Sequence, residues 1–378
     1  MKAYLEVIKE ILGKGRERGD RTGTGTISIF DAQFRHDMRE GFPLLTTKKM
    51  HLRGIFEELM AFLRGEEQLE SLIDKKVTIW DPWRVSEDVF TPRLLENWER
   101  VAWMWKNLPE ASAQWEMLPE QQKTHEWLDD HGIPRTVPKL VVKKGSLNAP
   151  YGSGWRAFKT GGVAVDQLAY ALDLLHHNPE SRRILISAWN PGWMPDESIS
   201  PQENIIAGKP CLTPCHWAFE FYTEEMSEIG RWEYMKLTNP TLHKTLSSRH
   251  GEYDKLDNCG EILDSHQVPT RYLSLKWHQR STDTMIGLPY NIASYALLLL
   301  MVAEEVGMVP YMLLGDLSNV HIYKNHLDQM RKQLEREPKS LPTVSFKRKP
   351  DAIEGYQWDD VVIEGYAPHP TITGNIAV

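Results

Sequence analysis

The chain has 378 residues and a formal net charge of −8, with 41% hydrophobic and 25% charged residues. That composition excludes intrinsic disorder and fibrous repeats and is enough for a sizeable core. The acidic balance disfavours nucleic acid as a partner, because a polyphosphate needs a surplus of Lys and Arg on the binding face, and it leaves room for a small anionic substrate.

At the N-terminus Tyr4, Ile8, Ile11 and Leu12 recur at helical spacing until Gly13 and Gly15 break the pattern, which predicts an amphipathic helix. Its mixture of Lys, Glu and Arg is not that of a signal peptide. A polar, Gly-rich turn follows at 19–26. Alternation predicts a strand over 27–38 and a short one over 43–47, and 55–63 reads as an apolar helix that carries Glu57 and Glu58. A carboxylate in such a helix needs an explanation.

Residues from about 86 to 147 differ from their flanks. They are rich in Trp, Glu and Pro, hold Trp98, Trp103, Trp105, Trp115 and Trp127, and read as an insertion. An amphipathic helix is expected over 163–176, stopped at His177-Asn178-Pro179, and a buried strand over 184–189. Strands of one sheet are expected at 219–223 and 273–278. Between them, about 224–270 is polar with few apolar clusters, a second insertion. The apolar run 292–303 falls short of the about 20 residues that cross a bilayer, so it predicts a core helix and no membrane partner. A strand over 311–314, a helix over 324–335 and a Pro-punctuated tail complete the chain, in which we find no internal repeat.

Cys211, Cys215 and Cys259 are too few and too sparse for a disulfide framework, so a reducing, cytoplasmic setting is expected. Cys215 stands at a strand edge in Thr213-Pro214-Cys215-His216. An unpaired buried cysteine serves equally often as a small hydrophobe, and a nucleophile needs nearby positive charge to gain thiolate character. Arg21, Arg182, Arg183 and Arg280 are the candidates, and the adjacent pair Arg182-Arg183 and Arg280 also suit bidentate phosphate binding. Cys211, Cys215 and His216 lack the second ligand pair of a zinc site, so no metal is expected. The Gly23-Thr24-Gly25 turn fits neither a phosphate loop nor a dinucleotide motif. A Cys215-His216 hydrolase pair is disfavoured because adjacent strand residues point to opposite faces. An idle, Trp-rich interaction protein is a further alternative.

Several blocks carry a more specific resemblance: residues 19–26, Thr46-Thr47-Lys48-Lys49, Thr78-Ile79-Trp80-Asp81, Tyr151-Gly152, Ser181-Arg182-Arg183-Ile184, Pro214-Cys215-His216, Gln279-Arg280-Ser281, residues 287–295, and His321-Ile322-Tyr323. In this order the chain resembles the thymidylate synthases from end to end, the two insertions excepted. The resemblance implies one catalytic α+β domain over 1–378 whose large twisted mixed sheet packs on helices with one face and forms a homodimer with the other. It implies deoxyuridine monophosphate (dUMP) as substrate and 5,10-methylenetetrahydrofolate as one-carbon donor, giving thymidylate and dihydrofolate. The alternative is a hydroxymethylase, in which water captures the activated carbon and tetrahydrofolate leaves.

Residue by residue, the resemblance makes Cys215 the nucleophile, with Glu58, Tyr151 and His216 in the proton-moving network. Asn291 would read the pyrimidine edge. Arg21, Arg280 and Ser281, beside Gln279, would hold the phosphate together with Arg182 and Arg183 of a second subunit, and His321 and Tyr323 the deoxyribose. The folate would stack near Ile79, Trp80 and Trp83 with Leu212 behind it, bond to Asp283 near Gly287, and extend its tail toward Lys48 and His51, while the C-terminal Val378 closes over it. Three features depart from the family's usual pattern: Asp316 follows Gly315 where a second Gly is common, Glu220 and His278 replace a Gln and a Tyr, and the second insertion is unusual. The substitutions predict altered polarity near the site and a reshaped backbone after Gly315.

Overall fold

The computed structural model describes residues 1–20, 23–250 and 259–375. Two compact units emerge, one from Met1–Pro82, Ala149–Met194 and the chain from Leu212 onward, the other from Trp83–Asn148 and Pro195–Cys211.

The first unit is built on a six-stranded mixed sheet. Its strands are β1 (Arg16–Arg18), β2 (Thr26–Asp37), β3 (Leu185–Ser187), β4 (His216–Glu225), β5 (Arg271–Asp283) and β6 (Val309–Tyr323), in spatial order β1-β2-β6-β5-β4-β3. β5 and β6 run parallel and the other neighbours antiparallel. A parallel pair needs a crossover, and the helix Gly287–Val306 supplies it, ending at Gly307 with φ +68°, the left-handed residue that commonly closes a helix. That helix is long and apolar enough to cross a membrane, yet Leu288, Ile292, Leu297, Leu298 and Met301 are all buried. It is the expected core helix.

Period-two alternation divides the central strands. Phe219, Phe221, Leu275, Trp277 and Gln279 are buried toward the helices, where Tyr295 stacks on Trp277 with ring centres 5.3 Å apart and Phe219 meets Trp155 at 5.0 Å. Helix Lys2–Lys14 adds its buried stripe of Tyr4, Val7, Ile8 and Ile11. A Cβ at Gly315 would come within 2.4 Å of the Trp277 indole, so this position of β6 admits glycine alone. On the opposite face stand Glu220, Tyr222, Lys276, His278 and Asp316, with a groove of about 910 Å³. The face under the helices also carries most of the candidate site.

Several expectations give way. Residues 163–165 do not begin the helix; with Gly161 and Gly162 at φ +53° and +82° they fold back as a strand on Phe158–Thr160, and the helix starts at Gln167 behind its cap Asp166, whose side chain accepts from the Ala169 amide at 2.9 Å. Residues 43–47 are buried without joining a sheet, some of their polar groups taken by the tail, as where Tyr366 Oη donates to Leu45 O at 2.9 Å. β6 does not stop at residue 314: it pairs with β5 as far as His321 and with β2 through to Tyr323, so the backbone after Gly315 is continuous strand. Within the Pro-punctuated tail, Thr343–Phe346 pairs with Val361–Glu364.

The second insertion has a small core of its own, contrary to the expectation of few apolar clusters. Trp232, Met235, Leu246, Cys259, Leu263 and Val268 pack together, tied by Arg231, whose guanidinium donates to Asp264 at 2.6 Å and to the Val268 carbonyl at 2.8 Å. In the second unit a hairpin, Val89–Leu94 with Thr136–Val142, accompanies short helices that bury Met104, Leu128 and Ile133 beneath Trp103, Trp115 and Trp127. Here too an arginine ties the core, Arg100 bridging Asp129 at 2.6 Å and the Ile133 carbonyl at 2.8 Å.

Candidate active site

Cys215 sits at the start of β4, where a register shift between His216 and Ala218 opens the ladder. Arg280 holds this corner. Its backbone amide donates to the Cys215 carbonyl at 2.9 Å, and its guanidinium donates to Pro214 O at 3.0 Å and Thr213 O at 2.9 Å. The Cys215 amide donates to the Tyr151 hydroxyl at 2.9 Å. Burial pushes the thiol up from its ordinary range, Arg280 draws it back and Asp283 adds to the rise. Of the arginines expected to favour a thiolate, Arg280 acts on this sulfur in that direction, against the larger effect of desolvation.

Tyr151, on the short helix Pro150–Arg156, stacks on His216 with ring centres 4.0 Å apart. His216 Nδ1 hydrogen-bonds the Tyr295 hydroxyl at 2.8 Å, and burial lowers its pKa to about 3, so the ring is neutral and serves as hydrogen-bonding group rather than cation. From Tyr295 the contacts continue through Trp277, whose indole donates to Gln279 Oε1 at 3.1 Å. That oxygen also accepts from Asn291 Nδ2 at 2.9 Å, while Gln279 Nε2 donates to Ser281 O at 3.0 Å. The indole fixes the orientation of Gln279 and so of Asn291, which keeps one N–H and its carbonyl oxygen to offer.

Helix Leu52–Leu63 presents two adjacent carboxylates with different partners. Glu57 is buried and ion-paired with Lys75, with Arg53 at 3.9 Å. Glu58 accepts from the Trp80 indole at 2.6 Å, and burial raises its pKa to about 7 against that hydrogen bond, so it is poised to exchange a proton near neutrality. Trp80 itself lies 6.1 Å from Tyr151 between ring centres.

Glu58 opens onto a cleft of about 650 Å³ lined by Lys48, His51, Ile79, Met285, Tyr290 and residues 371–374, among others. Lys48 is buried, its ammonium donates to Met285 O at 2.5 Å, and desolvation lowers its pKa to about 8. Asp283, which opposes that shift, accepts from the Met285 amide at 3.0 Å and the Gly287 amide at 3.4 Å. His321 is buried beside it and approaches Tyr323 edge-on at 5.1 Å.

Other expected residues stand apart. Arg182 and Arg183 are exposed, and Arg182 lines the groove on the sheet's opposite face. Trp83 is the first residue of the second unit, and Leu212 is partly buried at the start of the Cys215 loop. Arg21 and Val378 lie outside the described residues. Glu220 and His278 do not alter the polarity under the helices, because alternation turns them away: His278 sits between Glu220 and Asp316 at 3.2 Å from each, on the opposite face. Sequence reasoning passed over Tyr290 and Tyr295, although both fall in the quoted block 287–295. It also passed over His326, whose partner lies in the C-terminal tail, and the pairing of Gln279 on β5 with Asn291 on the following helix.

The mixed sheet with its helical cover is the fold of the thymidylate synthases, and the family model described as thymidylate synthase matches residues 2–378. A curated "Thymidylate synthase" of Francisella philomiragia subsp. philomiragia is 34% identical over 378 residues, covering all of both chains. The chain belongs to the thymidylate synthase family.

Proposed function

We propose that this chain is a methyltransferase that converts dUMP to thymidylate with 5,10-methylenetetrahydrofolate. The observation that carries the reading is the joining of Cys215, Tyr151, His216, Asn291 and Gln279 in one hydrogen-bonded and stacked series beneath the helices. Pyrimidine C5 is a weak nucleophile. Addition of the Cys215 sulfur to C6 pushes the electron pair toward C5 and O4, which makes C5 reactive; at the end the S–C6 bond breaks and the thiolate returns. Arg280 at this corner favours the thiolate that the step needs, against the burial that raises the thiol. Asn291, with one N–H and one carbonyl oxygen to spare, matches the O4 acceptor and N3–H donor of uracil.

The cleft fits a folate: apolar Ile79, Met285 and Tyr290 suit a flat ring, Glu58 its polar edge, and Lys48 and His51 an anionic tail, with Asp283 behind the wall at the Met285 amide. When bound, the folate supplies the one-carbon unit and a hydride, and leaves as dihydrofolate. Glu58, with its pKa near 7, can deliver or accept a proton at O4, and the neutral His216 with Tyr151 can order the water that carries away the C5 proton. Arg280, with Arg21 and Ser281, would hold the substrate phosphate, and His321 and Tyr323 the deoxyribose. Arg182 and Arg183, exposed beside the uncovered sheet face, would reach the phosphate of a second copy in a homodimer. The same reading takes the chain as one catalytic domain with two insertions in a cytoplasmic enzyme, its three cysteines free.

Release of isotopic hydrogen from C5 of labelled dUMP in the presence of the folate tests the chemistry. Release by the unaltered protein and none by Cys215→Ala is expected; equal release by both would overturn the nucleophile.

A further inference from the structure

We infer that His326 is a positioning residue that latches the C-terminal tail along the cleft. The inference rests on reading that cleft as the folate site, but the latch itself is a feature of the protein alone. His326 ends the turn Lys324–His326 that follows β6, and only 1% of it is exposed. Its Nε2 lies 2.9 Å from the Asn375 carbonyl oxygen. A carbonyl only accepts, so the ring donates. Nδ1 is buried with no hydrogen-bond partner among the described residues, leaving the bond to Asn375 as the single polar use of a buried imidazole, where unpaired groups are costly.

The fit extends one residue back. A Cβ at Gly374 would lie 2.9 Å from His326 Nε2 and 3.4 Å from Met285 Cε, so the tail backbone lies directly against the imidazole and the methionine whose carbonyl takes the Lys48 ammonium. Further up, the tail is tied by the His369 amide to Thr46 O at 2.8 Å and by Arg336 to Pro370 O at 2.7 Å. Residues 371–374 line the cleft between those ties and His326, with Ile372 turned inward and buried. Without the imidazole, Ile372 would be the one buried anchor among the described residues beyond Pro370. Its role is to hold the wall that residues 371–374 give the cleft, and so to favour folate binding and exclude water.

The test compares the unaltered protein with His326→Phe, which keeps a ring and removes the donor, and His326→Gln, whose amide can donate from nearly the same place. Gly374→Ala, altered on the tail rather than in the buried turn, guards against misfolding of the first variant. Carboxypeptidase digestion, followed by intact mass, reads how fast Asn375 and Gly374 are removed. Removal about fivefold to tenfold faster in His326→Phe and Gly374→Ala is expected, with His326→Gln close to the unaltered rate, as loss of one buried hydrogen bond implies. KM for the folate should rise by a similar factor while KM for dUMP holds. Unchanged digestion in folded His326→Phe and Gly374→Ala would overturn the latch. Faster digestion in a protein whose unaltered form turns over no folate would keep the latch and overturn the reading of the cleft.

Discussion

The two faces of the central sheet are made from the same strands, often from neighbouring residues, yet they carry opposite chemistry. Under the helices Trp277 and Gln279 are buried and Gln279 spends both ends of its amide on orienting others. One residue away, His278 lies between two carboxylates and Lys276 approaches Asp316 at 3.4 Å. The covered face removes water and sets protonation by burial, which is why Glu58, Cys215 and His216 all shift toward their neutral forms. The open face keeps its charges paired, and its Tyr222 is 66% accessible. The shifted groups thus belong to one face and the paired charges to the other, and substitutions can test the association proposed for the second.

The largest effect should come from Cys215→Ala, a loss of activity on the order of 10⁴-fold or more with folding retained, since no other group supplies the covalent step. Steady-state rates with circular dichroism as a folding control check it, and a loss below about tenfold would break the assignment. Glu58→Gln comes next, with kcat lower by about 10² to 10³. Because the carboxyl titrates at about 7, the pH–rate limb near that value should vanish in the variant. The sign for stability is fixed as well. Burial raises the folded pKa, so the wild-type contribution is present below the ordinary carboxylate range and is lost as pH rises through about 7. Gln therefore stabilises relative to Glu at pH about 9 and not at pH about 4, by on the order of 1 kcal/mol, as thermal melts at the two pH values would report.

On the open face, Arg182→Ala/Arg183→Ala should raise KM for dUMP by about tenfold to a hundredfold, each lost charge-assisted bond contributing about 1.5 to 3 kcal/mol at most. Mixing that variant with Cys215→Ala should restore activity once subunits exchange. No recovery after exchange verified by mass would remove the arginines from a shared site. The smallest effect on turnover belongs to the second insertion. Trp232→Ala there should cost about 3 kcal/mol or more of local stability, as buried aromatic truncations do, while kcat/KM changes less than about twofold. A larger loss of kcat/KM in folded protein would tie that insertion to the site.

The covered face was the more legible from sequence, and for a physical reason. Alternation over 27–38 and 273–278 and the apolar helix around 292–303 reveal buried surfaces directly, and the strongest motifs stand at the ends of those elements. What escaped depends on partners far along the chain. Residues 311–323 look like a strand broken at Gly315, because Asp316, Ser318 and Asn319 are polar; the strand persists since β2 and β5 bond it on both sides, and Gly315 is there for the Trp277 indole. The turn at Gly161-Gly162 was hidden because Val163-Ala164-Val165 continues the apolar rhythm of the helix behind it. Glu220 and His278 were misjudged by proximity in sequence to Cys215 and Gln279, when period two sends them to the far face. His326 carries no local signal at all, since its partner is 49 residues away.

The most direct measurement is the mass of the product formed when the purified protein is mixed with dUMP and 5,10-methylenetetrahydrofolate, with near-ultraviolet absorbance followed for dihydrofolate. A product heavier than dUMP by one methylene group, formed together with dihydrofolate, is the result expected of a covered face that keeps water out. A product heavier by a methylene group and one oxygen, with tetrahydrofolate released, would contradict it.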